Sequence, residues 1–180
     1  MKKINVLFAA LLSVTVLFGA AVPAKAASAD VNIEIQATTM DGVSVNVPTQ
    51  LPILFNADGT NTLPDNWNIK NVSTIAGIHL EKIDLNGNGW KLLPESATIS
   101  DLAVNTQSIR FYAGPEGNVK LVTPNGGAEN AAGSVTFEKT EFSLESGDNA
   151  DLVFNVERGA FDADKSAPEA FEMVLTFKFN

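Results

Sequence analysis

Apolar and polar residues alternate most strongly at the C-terminal end of the chain. Over residues 170–180 one side of the pattern is apolar and consists of Phe171, Met173, Leu175, Phe177 and Phe179. Successive side chains of a β-strand point to opposite faces, so this pattern predicts a strand with one apolar face. Burying one large apolar side chain stabilises a fold by roughly 1.5–3 kcal/mol. We therefore expect this strand to lie at the centre of the core.

Shorter alternating runs recur along the chain, separated by turns rich in Gly, Pro, Asn and Asp. The predicted strands lie at 31–37, 43–47, 51–55, 67–72, 75–85, 90–93, 109–111, 119–121, 135–137, 142–144 and 152–156. Pro52 indicates an edge strand, and the alternation slips near Lys82, which indicates a β-bulge. Residues 96–106 are compatible with a helical turn, and 161–170 with a loop. The pattern predicts an all-β, antiparallel β-sandwich, jelly-roll-like, as a single domain over 30–180.

The N-terminus has the parts of an export signal. A positive start and an uncharged apolar run over 4–22 precede the small-x-small pattern Ala24-Lys25-Ala26. The sequence predicts a signal peptide at 1–26, with cleavage as late as residue 29, and an uncleaved membrane anchor is the alternative. We therefore expect a secreted or cell-surface protein that is not in the membrane after signal cleavage.

The mature chain is strongly acidic. Removal of Lys2, Lys3 and Lys25 leaves 9 basic residues against 21 acidic ones, a net charge of −12. Nucleic acid and anionic lipid both require a basic surface, so this charge argues against both as partners. The chain has no cysteine and one histidine, His79, which has no nucleophile motif around it. We therefore predict that the protein is not an enzyme.

One stretch matches a calcium-loop pattern and provides the candidate metal ligands. The pattern D-x-[DN]-x-[DN]-G-x₅-E places oxygen ligands at Asp84, Asn86, Asn88 and Glu95. Strand-like sequence flanks the stretch on both sides, and a repeated Asn-Gly is also the signature of a β-hairpin. We favour the hairpin, with Ca²⁺ as the alternative and no other cofactor expected.

Two further features have a structural and a functional interpretation. Trp67, Trp90 and Tyr112 are candidates for a carbohydrate platform, although tryptophans of a small sandwich more often lie in its core. The tripeptide Asn71-Val72-Ser73 matches a glycosylation sequon.

Several motifs resemble those of secreted surface proteins of Gram-positive bacteria. They are V-P-T-x-L-P-I at 47–53 and G-W-x-L at 89–92. The signal peptide, the lack of cysteine and the tetrapeptide at 70–73 before an alternating strand are distantly similar to the TasA/camelysin biofilm-matrix proteins. The resemblance implies a structural role, in which an N-terminal strand of one subunit completes the sheet of the next.

The run at 31–37 is the predicted assembly strand, with Val31, Ile33 and Ile35 on one side. The competing interpretation, which the short Asp41-Gly42 turn favours, is a hairpin with the run at 43–47. The expected function is a structural protein, a fibre or matrix subunit that associates with itself or with other surface proteins through sheet edges. The alternative is an extracellular carbohydrate- or polymer-binding module, Ca²⁺-dependent, with a cell-wall polymer as partner.

Overall fold

The computed structural model describes residues 28–38, 44–56, 60–65, 67–74, 76–160 and 171–180. The predicted signal peptide, the predicted turn at 41–42 and the predicted loop at 161–170 lie outside these residues. Within them nearly every regular element is a β-strand, as the alternating pattern predicts. The all-β class is therefore confirmed.

In the described part of the chain the strands have from two to eleven residues, and two single turns of 3₁₀ helix lie between them. The strands are β1 (Ser28–Thr38), β2 (Val45–Asn46), β3 (Gln50–Asn56), β4 (Asn61–Thr62), β5 (Trp67–Asn71), β6 (Ile78–Gly87), β7 (Lys91–Leu92), β8 (Ser108–Pro115), β9 (Lys120–Leu121), β10 (Thr123–Pro124), β11 (Ala132–Thr136), β12 (Ser143–Leu144), β13 (Asn149–Arg158) and β14 (Phe171–Phe179). The 3₁₀ turns are Ile99–Asp101 and Asn125–Gly127. The first of them is the helical turn that the sequence allowed.

The strands form a sandwich of two sheets. The larger sheet has the order β10-β11-β6-β14-β1-β3-β4, and β12 also pairs with β6. The smaller sheet has the order β2-β5-β13-β8-β7, and β9 also pairs with β8. Neighbours are antiparallel except at two places, where β1 runs parallel to β14 and β7 runs parallel to β8. These two parallel pairs are the departure from the predicted antiparallel arrangement.

The C-terminal strand lies at the centre of the larger sheet, between β6 and β1. Its buried residues are Phe171, Met173, Leu175 and Phe177, while Phe179 is partly buried. This confirms the prediction made from its alternation. Aromatic contacts extend the core, with the ring of Trp90 5.6 Å from Phe55 and the ring of Trp67 5.2 Å from Phe154. Both tryptophans are therefore core residues.

Strand β6 carries the predicted bulge. Its register with β14 shifts by one residue between Thr176 and Phe177, and Glu81 is the extra residue on β6. The extra residue resets the alternation, so Leu80 before it and Ile83 after it both face the core. The slip in the sequence pattern near Lys82 thus has a structural cause.

Both edge strands of the larger sheet are short, and a proline lies in one of them and in the neighbour of the other. Pro124 ends β10 at one edge, and at the other edge β4 covers only residues 54 and 55 of β3. Asn56 donates its backbone N–H to the carbonyl of Thr60 on the β4 side, and strand residues alternate in direction. The nitrogen of Pro52 therefore faces the same outer side, where no ladder donor is required. The predicted edge strand is therefore wrong by one place, because β4 lies outside β3, although β4 does not extend as far as Pro52.

Candidate assembly site

Strand β1 fills a slot in the larger sheet between β3 and β14. Residues 28–34 pair with β3, and residues 33–38 pair with β14. Only Ile33 and Glu34 pair on both sides, so the strand is staggered across the slot. Among the described strands, β3 never pairs directly with β14. β1 is therefore the strand that joins the β3–β4 hairpin to the rest of the larger sheet.

Buried apolar residues form both walls of the slot. The register sets the predicted assembly residues opposite them: Val31 opposite Ile53, Ile33 opposite Leu51 and Phe171, and Ile35 opposite Met173. Ile33 itself is fully buried. A strand in the slot can therefore form backbone hydrogen bonds with β3 and β14, and its apolar residues lie beside the buried residues of both strands.

The predicted hairpin between 31–37 and 43–47 is wrong. In the described part of the second run the strand is β2, which belongs to the smaller sheet and pairs with Lys70 and Asn71 of β5. In the slot, β1 instead gains partners on both of its edges, which a two-stranded hairpin does not supply. The alternation identified the strand correctly but said nothing about its neighbours.

The candidate metal ligands lie on different elements. Asp84 and Asn86 lie in the second half of β6, where Nζ of Lys82 is 2.6 Å from Oδ1 of Asp84. Asn88 follows the end of β6, and Glu95 lies in an exposed turn after β7, where its backbone carbonyl accepts a hydrogen bond from Arg110. Across the described residues, no group of three His, Asp or Glu side chains is arranged to hold a metal ion.

The predicted Asn-Gly hairpin is also wrong, because β6 and β7 belong to different sheets. The segment between them crosses from the larger to the smaller sheet and places Trp90 in the core. Gly87 permits this crossing: a Cβ atom at this position would lie 2.1 Å from the carbonyl oxygen of Trp90. Burial of the indole thus explains why the chain leaves its own sheet here.

The two tryptophans that were candidates for a carbohydrate platform do not lie on the surface. Trp67 and Trp90 are buried, and Tyr112 is half-buried on the smaller sheet. An open groove of about 410 Å³ runs beside β13, lined by residues 61–65 and 152–154, and its lining contains neither tryptophan nor tyrosine. The surface of the described residues therefore shows no aromatic platform.

Asn71 is a structural residue at the end of β5. Its Nδ2 donates to the carbonyls of Ala76, Leu144 and Glu145 at 2.9, 3.2 and 3.1 Å, and its Oδ1 accepts the backbone N–H of Ser73 at 3.0 Å. The residue is fully buried. The sequon nitrogen is thus used inside the protein, which leaves no room for a glycan in the folded chain. These bonds tie the smaller sheet to the segments that flank β6 and β12.

Arg158, at the end of β13, makes the corresponding connection to the β3–β4 hairpin, and sequence reasoning missed it. Its Nη2 donates to the carbonyls of Asn56 and Thr60 at 2.7 and 3.3 Å, and its Nε donates to Oδ1 of Asn61 at 2.8 Å. The guanidinium lies 4.5 Å from the ring centre of Phe55. The sequence did contain a signal for its burial, because Arg158 occupies the next position in the series of alternate buried residues of β13.

Glu141 provides a third link between the sheets. It lies in the loop before β12, accepts hydrogen bonds from Nζ of Lys120 at 2.7 Å and Nδ2 of Asn118 at 2.8 Å, and also accepts the backbone N–H of Glu138 at 2.7 Å. The contact with Lys120, followed by those with Asn118 and Glu138, lowers the pKa of the Glu141 carboxyl from 4.5 to about 2. The carboxylate is thus held ionised where the β8–β9 turn meets the larger sheet.

Comparison with known proteins yields no family model, no curated protein and no solved structure that matches the chain. Over the residues that the structure describes, no helix combines the length and apolar character needed to span a bilayer. The similarity to Gram-positive surface proteins therefore stays a prediction.

Proposed function

We propose that this chain is a secreted or cell-surface structural protein that associates through β1, as a fibre or matrix subunit of a Gram-positive biofilm. In this proposal β1 leaves the slot of its own subunit and fills the slot of another copy. The observation that carries the proposal is the position of β1, which alone bridges β3 and β14 among the described strands. A strand from another copy would regain the same backbone bonds and the same apolar neighbours.

The position of β1 in the chain supports the exchange. β1 is the first described strand, and residues 39–43 separate it from the rest of the sandwich. A strand at one end of a domain can leave without unthreading any other strand, whereas β14 is bonded along its length to β6. Exchange of one identical element costs little free energy, because the bonds broken and the bonds formed are the same.

The alternative, a carbohydrate- or polymer-binding module, has less support. It depended on exposed aromatic residues and on Ca²⁺ at Asp84, Asn86, Asn88 and Glu95. Both tryptophans are buried, and the four candidate ligands are spread over β6, the residue that follows it and the turn after β7. We also assign the protein no catalytic activity, because its one histidine and lack of cysteine supply little of the usual machinery.

A pair of engineered cysteines tests the exchange directly, because the natural chain has none. Glu34 and Gln50 are opposite each other on β1 and β3. Opposite residues of an antiparallel pair have Cα atoms about 4.5–5.5 Å apart, a separation that a disulfide spans. In the mature Glu34→Cys/Gln50→Cys variant, oxidation at high protein concentration is expected to give covalent oligomers on a non-reducing gel.

The matched control places both cysteines within one ladder. Glu172 of β14 and Asn86 of β6 are also opposite each other, and neither strand is expected to leave. The Asn86→Cys/Glu172→Cys variant should oxidise to a covalent monomer under every condition. If the first variant forms filaments by electron microscopy but its two engineered cysteines link only within one chain, exchange through β1 is refuted. A lack of any assembly would refute the structural role.

A further inference from the structure

We infer that Arg158 and Asn61 form a clamp that holds the β3–β4 hairpin on the smaller sheet while β1 is out of the slot. The inference rests on the proposed function, since a clamp is needed only if β1 leaves. It adds a positioning role for two residues that lie outside the exchanged strand. Without such a clamp, the slot would lose one of its walls when β1 departs.

The need for the clamp follows from the strand order. β1 is the described strand that connects β3 to β14, and β3 has β4 as its other neighbour, bonded over two residue pairs. When β1 leaves, the β3–β4 hairpin has no ladder to the rest of the larger sheet. A two-stranded hairpin is at best marginally stable by itself, so the acceptor wall must be held from another direction.

That direction is the smaller sheet. Arg158 extends from the end of β13 and donates to the carbonyls of Asn56 and Thr60, one on each side of the hairpin loop. Asn61 accepts from Nε of Arg158 at 2.8 Å, and its own Nδ2 donates to the carbonyl of Val156 at 2.7 Å. The clamp therefore joins β3, β4 and β13 by bonds in both directions, and none of these bonds involves β1.

The chemistry of the clamp suits a fixed position. A guanidinium presents planar donors in a rigid fork, so several acceptors hold it in one orientation. Arg158 is about 7% exposed and rests on the ring of Phe55, a slot residue of β3. Removing partners from a buried charge is strongly unfavourable, so Arg158 resists separation from the hairpin. At the other end of β3, Nε1 of Trp67 donates to the carbonyl of Gln50 at 3.4 Å.

Hydrogen–deuterium exchange of the mature protein, followed by nuclear magnetic resonance, tests the clamp. The reporters are the Asn56 amide, bonded to Thr60 rather than to β1, and the Trp67 indole N–H, bonded to Gln50. In the wild type, the amides of β1 should exchange about tenfold or more faster than either reporter. In Arg158→Met, both reporters should accelerate to the rate of the β1 amides.

Arg110→Met is the matched control, because Arg110 is also a largely buried arginine of the smaller sheet. It donates hydrogen bonds to the Glu157 carboxylate and to the carbonyls of Glu95 and Ala97, and none of these bonds reaches the β3–β4 hairpin. Its loss should leave the ratio of reporter to β1 exchange unchanged. Should Arg158→Met fail to fold, Asn61→Ala removes two of the same bonds and should show the same acceleration.

Two outcomes would overturn the inference, and they differ in what they say about the proposed function. The clamp alone would be overturned if the ratio of the reporter exchange rate to the β1 exchange rate were the same in the wild type and in the folded clamp variants. Exchange of the β1 amides at the same rate as those of β14 and β6 would show that β1 does not leave separately. That second result would overturn the clamp and exchange through β1 together.

Discussion

The two sides of the larger sheet are attached in different ways. On one side, β6 and β14 pair along nearly their whole lengths, and β11 adds a further ladder to β6. On the other side, β3 and β4 reach the rest of the sheet only through β1 in the described chain. We call these the ladder side and the slot side.

The comparison also extends to the contacts with the smaller sheet. Asn71 and Glu141 link the smaller sheet to the ladder side, whereas Arg158 and Asn61 link it to the slot side. The ladder side therefore has polar links in addition to its continuous strands, while in the proposed exchange the slot side would depend on its polar links once β1 has left. Under that proposal, one sheet would contain a permanent part and an exchangeable part.

The largest expected difference comes from the same substitution on each side. Ile83 and Ile33 are both fully buried, the first on the ladder side and the second in the slot. Ile83→Ala should lower the free energy of global unfolding by about 2–5 kcal/mol. Ile33→Ala should cost less, because the loss cannot exceed the free energy that separates β1 in the slot from β1 outside it. Urea unfolding of both variants measures the two costs.

A second readout sharpens that comparison. Ile33→Ala should speed hydrogen exchange of the β1 amides and leave the exchange of β14 and β6 nearly unchanged. An equal loss of unfolding free energy in the two variants, with uniform acceleration of all amides, would show that the two sides behave as one unit.

The next effect concerns the polar link to the ladder side. Asn71→Ala removes the partners of one backbone N–H and three carbonyls, and each buried group left without a partner costs about 1–3 kcal/mol. Since some of these groups will find other partners, we expect a loss of about 2–3 kcal/mol. Thermal and urea unfolding measure it. Asn68→Ala on the same strand, where the side chain is exposed, should change stability by less than about 0.5 kcal/mol.

The third prediction concerns the pH dependence of stability that Glu141 gives to the ladder side. Because the folded-state pKa of Glu141 lies at about 2, below its ordinary value of 4.5, its contribution is complete above about pH 4.5 and is lost as the pH falls through about 2. Wild type should therefore be more stable than Glu141→Gln at pH 7, and the two should converge near pH 2. Glu138→Gln, in the same loop, is the control. A difference between wild type and Glu141→Gln that is independent of pH would contradict this assignment.

The smallest expected effect lies at the candidate calcium residues. The Lys82–Asp84 pair is about 40% exposed on both sides, and such pairs contribute about 0–1 kcal/mol, so Lys82→Ala should change little. Millimolar Ca²⁺ should leave the Tm of the wild type unchanged, since the four predicted ligands are spread over β6, the residue after it and the turn after β7. A Ca²⁺-dependent rise in Tm that Asp84→Asn abolishes would establish the site after all.

The alternation of the sequence predicted the buried face of β14 and the bulge of β6, whereas the core position of the two tryptophans was favoured from their residue type. It did not predict which strands are neighbours, because a period of two specifies a face and leaves the pairing partner open. Both hairpin predictions were wrong for that reason. The assembly residues Val31, Ile33 and Ile35 were found as a strand, but their slot depends on β14, which lies at the opposite end of the sequence.

The polar links were the harder part to predict. Asn71 and Arg158 are each the last residue of their strand, and each continues a buried alternate series. A polar residue in an apolar register was therefore the available signal. The hydrogen-bond partners of these two residues could not be predicted, because the acceptors in the β3–β4 hairpin and around β12 come from distant parts of the chain.

The prolines at the two borders of the larger sheet restrict the direction in which copies can add. Pro124 in β10 and the outward-facing nitrogen of Pro52 each interrupt the row of donors that a foreign strand would need along these borders. A strand added laterally at either border of the larger sheet would therefore lack one backbone donor, which disfavours broad amyloid-like ribbons. If copies add by the proposed exchange of β1 through the interior slot, this restriction would favour a thin filament over a broad sheet.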